Sequence, residues 1–500
     1  MKNSEAGAAK SHEIWQGLSD RDRQIIERKG ITAAQIQSQL GHLLEPGCSI
    51  VLERAATLGD GVSPLPTHST FPRFDEAAAR GRMSAFIPAS GDATRMFESL
   101  HKTQQLATIN ETELASLASA GDSSAADALL TLRNIENFAL WRVLQQAGCS
   151  ADNWSDIIDA MLSPQRLAIG AMAKGLVPFH EYDDGYRTAV EEHCRSVQQL
   201  GFGNVHFTIK PSMVNDVTTA ARKATSHDLD VHVSFQHDST DTVSLNEQRE
   251  IIRDASGEIA FKAGGHGSLL QNLMDTHGDL IFLRNIDNIV TESRFGAINA
   301  VRRQMGEHLL NIEVRVHAAL HQIENGGDVD LAIAVLRDDF GLQLPPHAQP
   351  PAYYFKELYR PIRVCGVIKV QGDVGGGAYW TAEPGSASRV QIVESAQLTY
   401  TSDSQREIAA RLAYFNPVDM VCSIKDHRGV AFNLFDFRDE DAVIVTRKSK
   451  NGRSVLAYEH PGLWNGGMAR WNSVFVAIPA ETFQPVKRLS DLLNPYHRNS

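Results

Sequence analysis

The stretch Phe86–Phe97 reads FIPASGDATRMF, and it sets Gly91, the Thr94 hydroxyl and the fixed positive charge of Arg95 directly after an apolar run. Met83–Pro88 (MSAFIP) is a β-favouring run of the kind that becomes a buried strand, and the following MFESLHKTQQL has helical character. A strand, a small-residue turn and a helix form the usual frame of a phosphate cradle. The N–H groups of the turn and of the helix start point at one place and favour an anion there. The same residues also fit a plain strand-to-helix turn of an α/β protein.

Length and composition narrow the class. A chain of 500 residues allows roughly three domains, or one elaborated α/β domain with insertions. Hydrophobic content of 42% and charged content of 22% are ordinary for a globular protein. No apolar run approaches the roughly 20 residues of a membrane span, so no membrane partner is expected. The start, MKNSEAGAAKSHEIW, lacks the apolar core of a signal peptide, and a cytoplasmic protein is the expectation. Cys48, Cys149, Cys194, Cys365 and Cys422 are scattered without a CxxC pair, which argues against a disulfide framework or a thiolate zinc site. A net charge of −12 disfavours nucleic acid, whose phosphates are bound through clustered Lys and Arg. It leaves room for an anionic small molecule, because salt screens charges beyond roughly 10 Å.

Along the chain, residues 12–45 read as two helices broken at Gly30, with Ser19 and Thr32 as caps. From about 97 to 170 the sequence turns Ala-, Leu- and Glu-rich with helical periodicity, as an insertion would. Strand-like runs return at 204–211 (NVHFTIKP), 230–236 (DVHVSFQ) and 279–290 (DLIFLRNIDNIV), with helix-compatible segments between them, which predicts βα units and a mostly parallel sheet. Beyond Pro361, VCGVIKV, SRVQIVESAQLTY, DAVIVTRK and SVFVAIP read as strands of an α+β extension.

Three further stretches bear on chemistry. In AKGLVPFHEYDDGYRTAVEEH (173–193), Lys174 precedes a turn and is either a solvated charge or a phosphate ligand. In FKAGGHGSLLQNL (261–273), Gly264, Gly265 and Gly267 permit close approach of a ligand, or simply a turn into a helix. In FLRNIDNIV, Asp287 and Asn288 interrupt an apolar run; a carboxylate there calls for a divalent cation, or for a turn.

Taken together, these stretches resemble the nucleotidyltransferases that make nucleotide sugars. ASGDATRM is similar to the nucleotide-binding loop of sugar-1-phosphate nucleotidyltransferases, and AKGLVPFH to their Pro-Lys-x-Leu-x-Pro motif. SFQ at Ser234–Gln236, AGGHGSLLQNL, NIDNIV and RVQIVESAQ (389–397) resemble, in that order, blocks of the UDP-N-acetylhexosamine pyrophosphorylases. From the N-terminal helices through GLWNGGMARWNSVFVAIP to DLLNP, the chain also resembles a bacterial family described only as a domain of unknown function, DUF4301.

The resemblance implies a GT-A-like, Rossmann-type α/β core. It implies an N-terminal helical region at 1–80, a core at 81–400 with the helical insertion at about 97–170, and a C-terminal α+β part at 401–500 that closes the acceptor side. It implies an Mg²⁺-dependent enzyme whose partners are small molecules, a nucleoside triphosphate, with UTP preferred, and a sugar 1-phosphate. Arg95, Lys174 and Asp287 would be catalytic, with Asp287 holding the metal. Ala89, Ser90, Gly91, Asp92, Thr94, Gln236, Gly264 and Gly265 would contact the nucleotide; His266, Asn288, Glu394 and Asn465 would contact the sugar phosphate. A second metal ligand would be Asn465 or Asp373.

Departures from the family pattern stand beside the matches. Ala93 replaces a second glycine, Ala173 replaces a proline, and His266 replaces the asparagine of a Gly-Asn-Gly-Gly block. Asp92 puts a negative charge beside the expected phosphates, leaving it to face solvent, pair with Arg95 or help hold a metal. A glycosyltransferase that consumes a nucleotide sugar, or a catalytically silent nucleotide-binding protein, would use the same fold. The sugar, the pathway and the oligomeric state are not legible.

Overall fold

The computed structural model describes residues 5–45, 50–225, 228–372, 375–382, 387–398, 402–450 and 453–499. It divides into two units, each assembled from separate stretches of chain: Met1–Phe74, Phe235–Leu283 and Gln304–Ala480 in one, and Asp75–Ser234, Arg284–Arg303 and Glu481–Ser500 in the other.

The second of these carries the strand that opens the sequence argument. Met83–Pro88 pairs in parallel with Asn204–Thr208, Phe86 opposite His206, and Asn204–Thr208 pairs in parallel with Asp230–Ser234. Met83 through Ile87 are all buried, as a parallel strand covered on both faces requires. The connections are mainly helical. Every regular element between residues 97 and 170 is a helix, including Glu98–Thr103, Glu111–Ser119, Ser123–Arg133, Trp141–Gln146 and Trp154–Leu162. Asn110, Asp122 and Asn153 cap three of them by accepting backbone N–H groups, each cap contributing about 1 kcal/mol. A hairpin of Pro178–Tyr182 and Gly185–Thr188 then leads into Ala189–Gln199, which Thr188 and Glu191 start with a capping box.

In the first unit, Ser19 and Thr32 form capping boxes on Asp20–Arg28 and Ala33–Leu44, and Gly30 between them takes φ +73°, as the sequence pattern indicates. A third helix, Glu5–Gln16, precedes them. Ile26, Ile36, Leu40, Leu43 and Leu44 from these helices share a core with Val243, Leu245, Ile259 and Tyr458. The sheet here is mixed. Ile362–Lys369 pairs antiparallel with Asp419–Ser423 and in parallel with Asn472–Ala477. Gly377–Ala382 pairs antiparallel with both Arg389–Val393 and Val51–Ala55. The fold class is therefore α/β. The strand foreseen over 279–290 is shorter: it runs Leu280–Arg284, and Asp287 lies in the turn that follows, where the Asn288 N–H bonds the Asn285 carbonyl at 3.2 Å. Among the described residues, no helix is long and apolar enough to cross a membrane.

Candidate functional site

The loop after Met83–Pro88 is anchored at both ends. The Ala89 N–H bonds the Thr208 carbonyl at 2.8 Å, which keeps the first loop residue in step with the neighbouring strand. Farther on, the Lys174 N–H bonds the Gly91 carbonyl at 3.0 Å and the Ala93 N–H bonds the Met172 carbonyl at 2.9 Å. This two-bond stitch sets Lys174 beside the loop. Ala93 is buried, with its N–H engaged on the Met172 side, so the methyl group that replaces a glycine points into the protein. Gly91 is exposed, has no positive φ, and a Cβ placed on it would meet nothing within 4 Å. Among the described residues, the N–H groups of Ser90, Gly91 and Asp92 bond no backbone carbonyl.

An α-helix does not follow the turn at once. Ala93–Arg95 forms a single 3₁₀ turn, and Glu98–Thr103 begins beyond it. Thr94 and Arg95 are exposed on that turn, and the Arg95 guanidinium makes no ion pair among the described residues.

Lys174 opens another 3₁₀ turn, Lys174–Leu176, and its Nζ donates to Asp287 Oδ2 at 2.6 Å. The side chains are 16% and 21% exposed, so the pair is partly shielded yet reachable. Gly175 permits this docking, because a Cβ there would press on Ile286 at 3.1 Å. The Asp287 carbonyl takes the Val486 N–H at 3.0 Å. Asn288 is buried, its amide donating to the Thr482 carbonyl at 3.1 Å and accepting the Gln484 N–H at 2.8 Å. Asn288 thus braces the turn that carries Asp287.

Asp92 does not pair with Arg95. Both of its carboxylate oxygens accept from Lys210 Nζ at 2.6 Å. Lys210 went unnoticed in the sequence, although it stands just past Thr208, beyond the carboxyl end of a parallel strand, where ligands gather in open α/β sheets. Arg95, Lys174 and Lys210 against Asp92 and Asp287 leave one formal positive charge in excess around the loop, a balance that suits an anion.

The other expected residues, Gln236, Gly264, Gly265, His266, Glu394 and Asn465, belong to the first unit. The glycines there are closed in by the chain itself. A Cβ on Gly264 would meet the Thr240 carbonyl at 2.6 Å, one on Gly265 would meet Glu459 Oε2 at 2.7 Å, and Gly265 has φ +77°. His266 stacks on Trp464 with ring centroids 4.1 Å apart. Its Nδ1 accepts the Leu463 N–H at 3.0 Å, which leaves the proton on Nε2, 3.7 Å from Glu394 Oε1. Burial pushes the His266 imidazole below its ordinary value, against the pull of the Glu394 and Glu459 carboxylates. Asn465 donates to Gln397 Oε1 at 3.1 Å, while its own Oδ1 is buried with no hydrogen-bond partner among the described residues. Gln397, three residues past Glu394, was missed in the sequence; its amide also donates to the Ala442 carbonyl at 3.1 Å. Gln236 turns its amide to Asp241 at 3.5 Å, a loose contact. Asp373 lies outside the described residues.

No curated protein matches the chain. Solved structures similar to it include a UDP-glucose pyrophosphorylase from Leishmania major in complex with UDP-glucose, at 13% identity and a TM-score of 0.49, covering 98% of this chain and 79% of that one. A UDP-glucose phosphorylase from Trypanosoma brucei is similar at 13% identity and a TM-score of 0.43, with 94% and 77% covered. A protein described as a UDP-N-acetylglucosamine pyrophosphorylase from Entamoeba histolytica is similar at 9% identity and a TM-score of 0.42, with 83% and 78% covered. The DUF4301 family model, a domain of unknown function, matches residues 19–498, and the chain belongs to that family.

Proposed function

We propose that this protein is an Mg²⁺-dependent nucleotidyltransferase that moves a nucleotidyl group, UMP from UTP, onto a sugar 1-phosphate and releases pyrophosphate. The observation that carries the reading is the meeting of Lys174 and Asp287, 113 residues apart in sequence, at 2.6 Å beside an open glycine loop. An ammonium and a carboxylate in contact, next to N–H groups and an Arg95 guanidinium that have no partner among the described residues, form an anion site with a built-in place for a cation.

In this reading an oxygen of the sugar phosphate attacks the α-phosphorus in line. The new P–O bond forms as the bond to the bridging oxygen breaks, and pyrophosphate leaves with that electron pair. The N–H groups of Ser90, Gly91 and Asp92 hold the triphosphate, and Arg95 neutralises the charge that grows on the departing pyrophosphate. Lys174 lies between the two approaching anions and offsets their repulsion. Lys210 keeps the Asp92 carboxylate neutralised, so that this departure from the family loop does not repel the nucleotide. Asp287 fits a metal that keeps several waters and needs only one or two protein carboxylates; when bound, Mg²⁺ supplies Lewis-acid stabilisation to the phosphates. Taken by itself, the first unit offers the Nε2–H of His266, the Glu394 carboxylate and the Asn465 Oδ1, which has no hydrogen-bond partner among the described residues, as groups suited to hydroxyls, and the Gln236 amide as a group suited to a pyrimidine edge.

Pyrophosphate release on mixing the protein, Mg²⁺, each of the four common nucleoside triphosphates and a panel of sugar 1-phosphates tests the proposal. Release with UTP above the others is expected. No release with any pair, alongside turnover of a nucleotide sugar, would replace it with the glycosyltransferase reading.

A further inference from the structure

The end of the long helix Phe295–Glu324 carries His317, His321 and Glu324 at spacings of four and three, which puts all three on one face. His427, in the turn region after Asp419–Ser423, comes up against that face. Its ring lies 4.8 Å from that of His321 and 6.4 Å from that of His317, centroid to centroid, and its Nε2 is 2.8 Å from Glu324 Oε2. One ligand atom from each of His321, Glu324 and His427 falls within 4.8 Å of the others, and no other trio of His, Cys, Asp or Glu among the described residues does so.

We propose that His321, Glu324 and His427 form a site for a borderline divalent transition metal of the zinc type, separate from Asp287. Two imidazoles and one carboxylate are a donor set such ions take, with a fourth position left for water or for His317. Tetrahedral ligands at about 2.1 Å from the ion lie about 3.4 Å from one another, so the widest pair, now within 4.8 Å, would draw in by up to about 1.4 Å while Glu324 Oε2 and His427 Nε2, now 2.8 Å apart, would part by about 0.6 Å. His427 is the fixed partner, its side chain fully buried, whereas His321 is exposed and can rotate. Phe355 and Tyr359 stand edge-on to the His427 ring at 6.1 Å and keep one side of the site dry. Arg428 pairs with the other carboxylate oxygen, Glu324 Oε1, and so aims Oε2 at His427, the orienting role that outer partners play around metal ligands. A bound ion would clamp the turn carrying His427 to the end of the helix.

The test uses the full chain, stripped with a chelator and titrated with Co²⁺ and then Zn²⁺. One equivalent of Co²⁺ should bind with the intense visible absorption of a four-coordinate ion, Zn²⁺ should displace it, and either ion should raise the melting temperature. His321→Ala and Glu324→Gln, both at exposed positions, should weaken binding by about tenfold or more while folding normally. His347→Ala, at an exposed histidine elsewhere, and Asp287→Asn should bind as the wild type does. Absence of a one-to-one complex, or affinity unchanged in His321→Ala and Glu324→Gln, would overturn the site; either result leaves the nucleotidyltransferase reading to its own assay.

Discussion

Lys174 Nζ donates to Asp287 Oδ2 at 2.6 Å, so the residue proposed to meet phosphate and the residue proposed to meet metal are each other's partner when neither ligand is present. In the proposed reaction the pair would act as a relay of counter-ions: a cation taking Asp287 would release the ammonium toward the phosphates, and the same exchange would keep the carboxylate from repelling an incoming nucleotide.

That exchange predicts a stability effect that needs no turnover. Lys174→Met removes the counter-ion of a carboxylate whose side chain is only 21% exposed, and it should lower the melting temperature. Mg²⁺ should restore most of the loss. In the double variant with Asp287→Asn it should restore nothing. A Lys174→Met melting curve indifferent to Mg²⁺ would remove Asp287 from the metal site.

For turnover, Arg95→Ala and Lys174→Met should each cost about 2 to 4 kcal/mol of transition-state stabilisation. Arg95→Ala should leave thermal unfolding untouched, since the side chain is exposed and unpaired among the described residues. Asp287→Asn should abolish turnover and blunt the Mg²⁺ dependence of nucleotide binding measured by calorimetry.

The Asp92–Lys210 pair has an asymmetric prediction. Lys210→Ala leaves a bare carboxylate beside the loop and should raise the nucleotide KM, whereas Asp92→Asn should restore it in the Lys210→Ala background. Both side chains are close to half exposed, 46% for Lys210 and 44% for Asp92, so neither change should alter folding. Steady-state kinetics of the two single variants and the double variant decide it.

Glycines separate ligand space from protein space. Gly91→Ala should fold like the wild type, because nothing lies within 4 Å of the added methyl, and should weaken nucleotide binding if phosphate occupies that space. Gly267→Ala should destabilise by about 1 to 3 kcal/mol or more, because its Cβ would stand 2.2 Å from the Pro461 carbonyl oxygen. Thermal melts of both, with and without nucleotide, read the difference.

A pH effect follows from His497. Burial, helped by the neighbouring His180, holds its imidazole down to about 3, so the folded protein keeps it neutral where the unfolded chain would protonate it. Stability from this group is therefore complete above about pH 6.5 and is lost as pH falls toward 3, by up to roughly 1.4 kcal/mol per pH unit. His180 and Glu192 face it in the same cluster, with His180 Nε2 at 3.0 Å from His497 and Nδ1 at 2.9 Å from Glu192. Denaturant midpoints between pH 7 and 4 should fall less steeply in His497→Asn.

Much of this was legible because it depends on neighbours in sequence. Ser19, Thr32 and Gly30 announce their helices by local chemistry, and Met83–Pro88 announces a buried strand by an unbroken apolar run. What escaped depends on distant pairing. Nothing near Asp92 names Lys210, 118 residues away, as its partner. Likewise, the apolar Ile289 and Val290 extend the strand pattern past Arg284, and only the hydrogen bonds of Asn288 to residues 482–484 show why the chain turns instead. The glycines of AGGHG gave a true signal of close approach, but residue type alone cannot say whether a ligand or another strand of the same chain is what approaches.

The braces on Asp287 also set a timetable. Val486 N–H, the Thr482 carbonyl and the Gln484 N–H hold the Asp287–Asn288 turn, while the loop and Lys174 are made hundreds of residues earlier. On the ribosome, the early motifs emerge with their acidic partner still unbraced, and the turn reaches its final geometry only after residue 486 has been made. A nascent chain would therefore gain the braced Lys174–Asp287 arrangement late, and if that arrangement is the nucleotide site proposed above, nucleotide present during synthesis would find it unfinished on the growing polypeptide.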